Sequence, residues 1–398
     1  MFEKMVLRRA DDAESVTPGQ IAEAMLFYQN VHLILDRGTF STLLNNIGIE
    51  VFMSLLQRPG FTAAYCEEDM ITRTNKYGGF TAYTIDAMMI VGHESVGTLP
   101  NTEARLAFLI EQAGTGKRES RRFAHKVLER VPVRRLSGNV YVQGGVPAAA
   151  RADLSNVHYT REAVCAVLEM IPGGHLPPPD FKLDIIDTAL GFHAFNNLDL
   201  DSINARRATM TPPLEPITLA YVFAHLATAR ADLALAAHYG GDFFTSNVAS
   251  KLIELRHADM LRRARINEQE IDSFVEVVLP DTPSVRDAID SRARSFPEFL
   301  GLLDKSDRFK RWLGDARADE GLVREYVKGM TAEAWIQRMP ARTLRYVLTQ
   351  VAELAMSRPA ALAAGLADNF LIDKLLGGWR PNHFVEARLG RFLRRDLS

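Results

Sequence analysis

Cysteine is scarce in this chain, and long apolar runs are missing. Only two cysteines, Cys66 and Cys165, occur among 398 residues, which excludes a disulfide framework. We therefore expect a reducing compartment, of which the cytoplasm is the simplest. The longest uncharged apolar run, Pro216 to Ala229, is shorter than the roughly 20 residues that cross a bilayer. No transmembrane span is expected, and the charged N-terminus does not resemble a secretory signal.

A large net charge is lacking as well. The formal net charge of −2 excludes a histone-like basic protein and confines any anion-binding surface to a local patch. Hydrophobic residues at 47% and charged residues at 24% are ordinary for a globular protein. A chain of this length is expected to form two or three domains.

Hydrophobic periodicity divides the chain into two parts. Before Thr211, short strand-like runs alternate with helical patterns, and they predict a small mixed sheet with a helix on one face. These runs are Val31–Asp36, Phe61–Glu67, Met70–Asn75, Phe80–Val91, Asn139–Gln143 and Lys182–Asp187. Beyond Thr211 the pattern is helical, and Ile217–Ala237 is predicted to be a central buried helix. The predicted fold class is α+β: a mixed α/β domain over residues 1–210, then a helical domain over residues 211–398.

Several helix starts are marked by capping boxes, in which a Ser, Thr or Asn side chain and an acid or amide three residues later cap the first turn. Thr17 and Gln20 form one such pair, and Pro18 directly follows Thr17. Together they predict a helix up to about residue 30. Asn267 with Glu270 and Ser295 with Glu298 predict two helix starts in the C-terminal part.

The most basic segment is Lys117–Arg135, with eight basic residues against two acidic ones. Helical spacing places several cations on one face and Phe123, Val127 and Leu128 towards another. The proposed anion-binding set is Lys117, Arg118, Arg121, Arg122, Lys126 and Arg130. Such a face is suited to phosphates, with sequence-independent, salt-sensitive binding, or to a protein partner. The alternative is a solvated helix whose charges pair with acidic neighbours.

Two apolar strand-like runs end in aspartate, at Asp36 and at Asp187. If these strands are parallel neighbours, the two carboxylates meet at the carboxyl edge of the sheet, where they would suit Mg²⁺. His193 would then serve as an acid or base in hydrolysis of a phosphodiester or phosphate. The alternative is that these aspartates cap the helices that follow them.

Two further features complete the candidate list. The stretch Gly114–Lys117 resembles a phosphate-binding loop only superficially, because the first glycine and the following hydroxyl of that motif are both missing. Near the C-terminus, Trp379 and Arg380 follow two glycines and are weak candidates for contact with a partner. Helix-end chemistry is the alternative explanation of that turn.

No motif in the chain identifies a reaction or a family. The favoured hypothesis is an intracellular interaction or regulatory protein that contacts nucleic acid or a protein partner through its basic helix. One alternative is a magnesium-dependent hydrolase that uses the strand-terminal aspartates, and magnesium is expected only in that case. Another is a non-catalytic subunit of a larger assembly, and the sequence does not fix an oligomeric state.

Overall fold

Five parallel strands form the main sheet of the computed structural model, which describes residues 3–9, 15–77, 80–315, 321–328 and 379–394. The strands are β1 (Lys4–Leu7), β2 (Asn30–Leu35), β3 (Phe61–Cys66), β8 (Val133–Arg134) and β11 (Asp242–Phe244). Their order across the sheet is β11-β1-β2-β3-β8, and every neighbouring pair is parallel. Successive strands extend the sheet away from β1, whereas the last one returns to the opposite side of β1.

Helices cover both faces of this sheet. One face is buried under α1 (Pro18–Phe27), α2 (Arg37–Leu55), α3 (Thr102–Gln112) and α4 (Lys117–Arg130). The other face packs against α5 (Val146–Leu154), α6 (Val157–Met170) and α8 (Leu219–Tyr239). Strand side chains alternate accordingly, since Leu33 and Leu35 lie in the first core and Ile34 lies in the second.

A second, antiparallel sheet of four strands has the order β4-β5-β10-β9. Its inner face contributes Tyr83, Ile85 and Phe192 to the core that contains α8. The strands are β4 (Asp69–Tyr77), β5 (Phe80–Met88), β9 (Leu183–Thr188) and β10 (Gly191–Asn196). A short hairpin, β6 (Gly92–His93) with β7 (Gly97–Thr98), follows β5, and α7 (Leu200–Ala208) follows β10.

The α+β class is confirmed, but the arrangement of the strands differs from the prediction. The predicted single sheet is two sheets, and the predicted strand Lys182–Asp187 corresponds to β9 in the antiparallel one. The predicted strand Asn139–Gln143 is wrong, because those residues form turns. The side chain of Asn139 accepts a hydrogen bond from Gly144 N (2.9 Å), which closes that segment on itself.

The compact units divide at a different residue from the predicted domain boundary. One unit lies within residues 1–259 and the other within residues 260–398. The predicted central helix is α8, which belongs to the first unit. By length and composition α8 is long and apolar enough to cross a membrane, yet 56% of its most apolar 18 residues are buried inside the structure.

Aromatic side chains build the core of the second unit. Trp312 and Tyr326 pack edge to face, and Phe309 stacks on Phe384 with ring centroids 4.9 Å apart. The long helix of this part of the chain is α9 (Asn247–Val278). It is followed by α10 (Val285–Asp290), α11 (Phe296–Leu303), α12 (Asp307–Asp315), α13 (Leu322–Lys328) and a C-terminal helical segment, Asn382–Leu393.

Local capping signals have mixed outcomes. The capping boxes at Thr17 and at Ser295 are both present, at the starts of α1 and α11. The one at Asn267 is wrong, because that residue lies in the interior of α9. The helix α2 bends at Gly48, whose φ of +75° favours glycine.

A buried histidine, His32, occupies the middle of the main sheet on its α8 side. Its Nδ1 lies 2.8 Å from the Thr62 hydroxyl, and its ring stacks on Tyr239 with centroids 4.2 Å apart. No hydrogen-bond partner of its Nε2 is found within the described residues. Burial, together with nearby Lys4 and His238, lowers the pKa of His32 to about 4.

We predict that His32 makes the first unit sensitive to mild acid. An unfolded histidine has a pKa near 6.5, so the unfolded state binds more protons between pH 6.5 and 4, and stability is lost as the pH falls through this window. Between pH 7 and pH 5 this loss amounts to about 2 kcal/mol. A His32→Gln variant should lack it.

Hydrogen exchange of peptides from β3 measures the effect, because intrinsic exchange rates cancel when variant and wild type are compared at one pH. The difference in opening free energy between His32→Gln and wild type should shift by about 2 kcal/mol from pH 7 to pH 5. The exposed His257→Gln is the matched control. Equal shifts for the two variants would contradict the assignment.

Candidate functional site: a basic helix and the carboxyl edge of the parallel sheet

The helix α4 is amphipathic in a way that fixes its orientation on the fold. Ser120, Ala124 and Val127 are almost fully buried, and Phe123 and Leu128 pack partly against the same core. These five positions share one side of the helix because they follow the helical repeat. The opposite side therefore faces solvent.

Helical spacing places five of the predicted anion-binding residues on the solvent side or its flanks, whereas Lys117, at the first position of α4, falls on the apolar side. Each of them is exposed: Lys117, Arg118, Arg121, Arg122, Lys126 and Arg130. Arg122 forms an ion pair with Glu119 (3.8 Å), and both side chains are more than half exposed. No carboxylate lies within 4.0 Å of the other five cations in the described part of the chain. The alternative in which acidic neighbours pair with these charges therefore applies to Arg122 alone.

Acidic groups lie at both ends of α4. Glu119 is in its first turn, and near its C-terminal end His125 lies 3.6 Å from Glu129 and 3.9 Å from Glu103, which belongs to α3. The segment from Lys117 to Lys126 nevertheless carries five basic residues against the single acid Glu119. We call the exposed side chains of Lys117, Arg118, Arg121, Arg122 and Lys126 the basic face of α4.

A second concentration of charge lies at the carboxyl edge of the parallel sheet, where ligands bind in open α/β sheets. The Arg8 side chain, 1% exposed, follows β1 and lies between two buried carboxylates. Its Nη1 donates to Asp36 Oδ2 (2.8 Å), and its Nε is 3.5 Å from Asp232 Oδ1. Burial alone would lower the pKa of Arg8, but Asp36 and Asp232 outweigh it and raise the pKa, so the guanidinium stays charged.

Both oxygens of Asp36 are engaged in the fold. While Oδ2 accepts from Arg8, Oδ1 accepts from Thr39 N (2.7 Å) and caps α2. The alternative that Asp36 caps the following helix is thus confirmed. On the other side of Arg8, Asp232 accepts a hydrogen bond from the Thr245 hydroxyl (2.6 Å) at the end of β11.

Two buried acids directly after β3, Glu67 and Glu68, were not among the candidate residues predicted from the sequence. Glu67 accepts hydrogen bonds from Arg105 and from the Thr102 hydroxyl (2.6 Å). Burial opposes its ionisation, but these donors win and lower its pKa. Glu68 accepts from the Ser137 backbone and hydroxyl (2.8 and 2.7 Å). The signal available in the sequence was three consecutive acids directly after an apolar strand.

The structure does not bring Asp36 and Asp187 together. Their strands belong to different sheets, and Asp187 is paired with Arg151 rather than with another acid. His193 is also in the antiparallel sheet, where its Nδ1 lies 2.8 Å from the Thr81 carbonyl oxygen. Within the described residues, no group of three or more His, Cys, Asp or Glu side chains is arranged to hold a metal ion.

The predicted partner-contact residues, Trp379 and Arg380, are both partly buried in the fold. Trp379 is half-buried against the core of the second unit, and Arg380 beside it is also half-buried. Burial raises the pKa of the Cys66 thiol to about 11, which leaves it a poor nucleophile. Cys165 is also a free thiol.

We predict that Arg8 is required for the stability of the first unit. In an Arg8→Met variant the carboxylates of Asp36 and Asp232 stay buried without their cation, so unfolding should become easier by about 3–5 kcal/mol. Asn in place of both aspartates should recover part of this loss, since Asn also caps helices. Arg73→Met, which breaks the exposed pair with Asp86, is the control and should cost at most about 1 kcal/mol.

Pulse labelling of Cys66 in urea reports these changes, because this thiol is 2% exposed and lies at the end of β3. A Cys165→Ser background removes the other thiol. If Arg8→Met cost no more than Arg73→Met, the two aspartates would not depend on the charge of Arg8 for their burial.

Comparisons with known proteins assign neither a family nor a function to the chain. No protein-family model, no curated protein and no solved structure matches the chain. Its function is therefore inferred from the charges, burial and contacts described above.

Proposed function

We propose that the chain is a non-enzymatic interaction protein that binds nucleic acid through the basic face of α4. The observation that carries the proposal is the exposure of five neighbouring cations, of which only Arg122 has a carboxylate within ion-pair distance among the described residues. Unpaired cations of this kind are what a phosphate backbone neutralises.

The spacing of these cations supports a binding role over a structural one. Arg118, Arg122 and Lys126 follow one another at intervals of four residues, so like charges are neighbours on the helix surface. Each such pair destabilises a helix by about 0.2–0.5 kcal/mol, whereas alternating charges would stabilise it. A ligand that carries several negative charges removes this repulsion.

The packing of α4 argues against a lipid surface as the main target. Membrane-bound amphipathic helices insert their apolar side among the acyl chains. Here that side, with Ala124 and Val127 at its centre, is buried in the core of the first unit. Only charge is left to attract a bilayer, and anionic vesicles should therefore bind more weakly than nucleic acid.

We propose no reaction for the carboxyl edge of the sheet. Metal-dependent hydrolysis required Asp36 to be open to a metal, and that carboxylate caps α2 and pairs with Arg8. A role as a non-catalytic subunit is compatible with binding through α4. The two free thiols support a reducing compartment such as the cytoplasm.

The proposal predicts that charge reversal on α4 abolishes binding. The triple variant Arg118→Glu, Arg122→Glu and Lys126→Glu should lose detectable binding, because it replaces three cations of the basic face with acids that repel nucleic acid. Fluorescence anisotropy with labelled single-stranded and double-stranded oligonucleotides, over 50–200 mM salt, measures this. For the wild type, affinity should fall linearly with salt on logarithmic axes, and each phosphate-contacting cation replaced by a neutral residue should lower the slope by about one.

A matched control separates local charge from net charge. The triple variant Arg58→Glu, Lys76→Glu and Arg206→Glu changes the net charge equally at exposed positions outside α4. It should bind nearly as the wild type does. Equal loss in both variants, or wild-type protein that binds neither oligonucleotide, would overturn the proposal.

A further inference from the structure

We infer that the preferred ligand is double-stranded DNA, with α4 lying in the major groove. This inference rests on the proposed nucleic-acid binding and narrows it to one class of nucleic acid. It follows from three features of α4. Cations lie on both flanks of its exposed side, that side carries no Phe, Tyr or Trp ring, and an acid, Glu129, lies along its middle.

The cations of α4 are not confined to one edge of the helix. At about 100° per residue, Arg121 and Lys126 lie about 140° apart around the axis, and Arg118 and Arg122 lie between them. Two separated rows of phosphate match such an array better than one row does. The walls of a duplex groove provide two rows, whereas a single strand provides one.

The dimensions of the helix agree with this geometry. An α-helix with its side chains is about 10–12 Å in diameter, and the major groove of B-form DNA is about 12 Å wide. From Lys117 to Lys126 the basic face spans about 14 Å along the axis. The major groove of A-form RNA is deep and narrow, so duplex RNA should bind less tightly.

The composition of the exposed side argues against single strands. Proteins that bind unpaired nucleic acid without sequence preference stack its bases on aromatic side chains. The only aromatic ring of Phe, Tyr or Trp type in α4 is Phe123, which is partly buried in the core and lies beneath the Arg122 guanidinium (5.4 Å). The exposed side therefore presents no Phe, Tyr or Trp ring on which a base stacks, and its one imidazole, His125, lies 3.6 Å from Glu129.

The position of Glu129 also favours a groove. It continues the centre line of Arg118 and Arg122, which in a groove faces the base edges rather than the phosphates. A carboxylate can accept a hydrogen bond from the amino group of cytosine there, but it would repel a phosphate backbone laid along the same line. His125, 3.6 Å from Glu129, lies on the same side.

The test compares four labelled ligands of one sequence on the full chain: a 16-base-pair DNA duplex, each of its two single strands, and the RNA duplex. At 100 mM salt we expect the DNA duplex to bind at least about tenfold more tightly than the others. The double variant Arg121→Ala and Lys126→Ala removes the two flanks, so the salt slope for duplex DNA should fall by about 1.8. Alanine is a strong helix former, so these exposed substitutions should leave α4 folded.

Each outcome of this experiment decides something. Duplex preference that the flank variant reduces, while Arg58→Ala with Arg206→Ala leaves it intact, supports the inference. Equal or tighter binding of a single strand or of duplex RNA overturns it and leaves the proposed nucleic-acid binding standing. No binding to any of the four ligands overturns both.

Discussion

The buried guanidinium of Arg8 connects parts of the first unit that are far apart in sequence. It follows β1, contacts Asp36 at the start of α2, and lies beside Asp232 in α8. Removing these charges from water is costly, so their contribution lies less in net stability than in specifying one arrangement. A shift of β1 by one residue that brought Leu7 to the position of Arg8 would leave Asp36 without its cation. The cluster therefore favours one register of the sheet.

The near-neutral composition of the chain conceals an uneven distribution of charge. Buried acids at the carboxyl edge of the sheet are matched by arginines, as in Asp36 with Arg8 and Glu67 with Arg105. The cations of α4 are instead left in solvent without such partners. A net charge of −2 thus coexists with a local basic surface, because among the described residues only Arg122 of the basic face has a carboxylate within 4.0 Å.

Local features of the fold could be predicted from the sequence, whereas long-range pairing could not. The capping box at Thr17 and the buried strand before Asp36 depend on neighbouring residues, and both were predicted correctly. The exposed side of α4 could also be predicted from the sequence, since helical spacing alone separates Arg118 and Arg122 from Val127. Asn267 failed because a capping sequence also fits inside a continuous helix, as it does in α9.

The candidate site shows the same limit. Two apolar runs ending in aspartate look alike, but Asp36 and Asp187 end strands of different sheets, and strand order depends on contacts between distant residues. Asn139–Gln143 resembles a strand in composition, yet the glycines around it and its own hydrogen bonds favour turns. The buried acids Glu67 and Glu68 were missed because their partners, Arg105 and Ser137, are more than 35 residues away.

The place of β11 beside β1 has a consequence for how the protein is made. Met5 pairs with Val31 on one side and with Asp242 on the other, so β1 gains its second neighbour only when residue 242 is available. During synthesis the growing chain therefore carries a sheet whose first strand presents unpaired backbone groups along one edge. Pairing across so long a separation slows folding, since a large loop must close before the contact is made. Until then that edge can pair with another nascent chain.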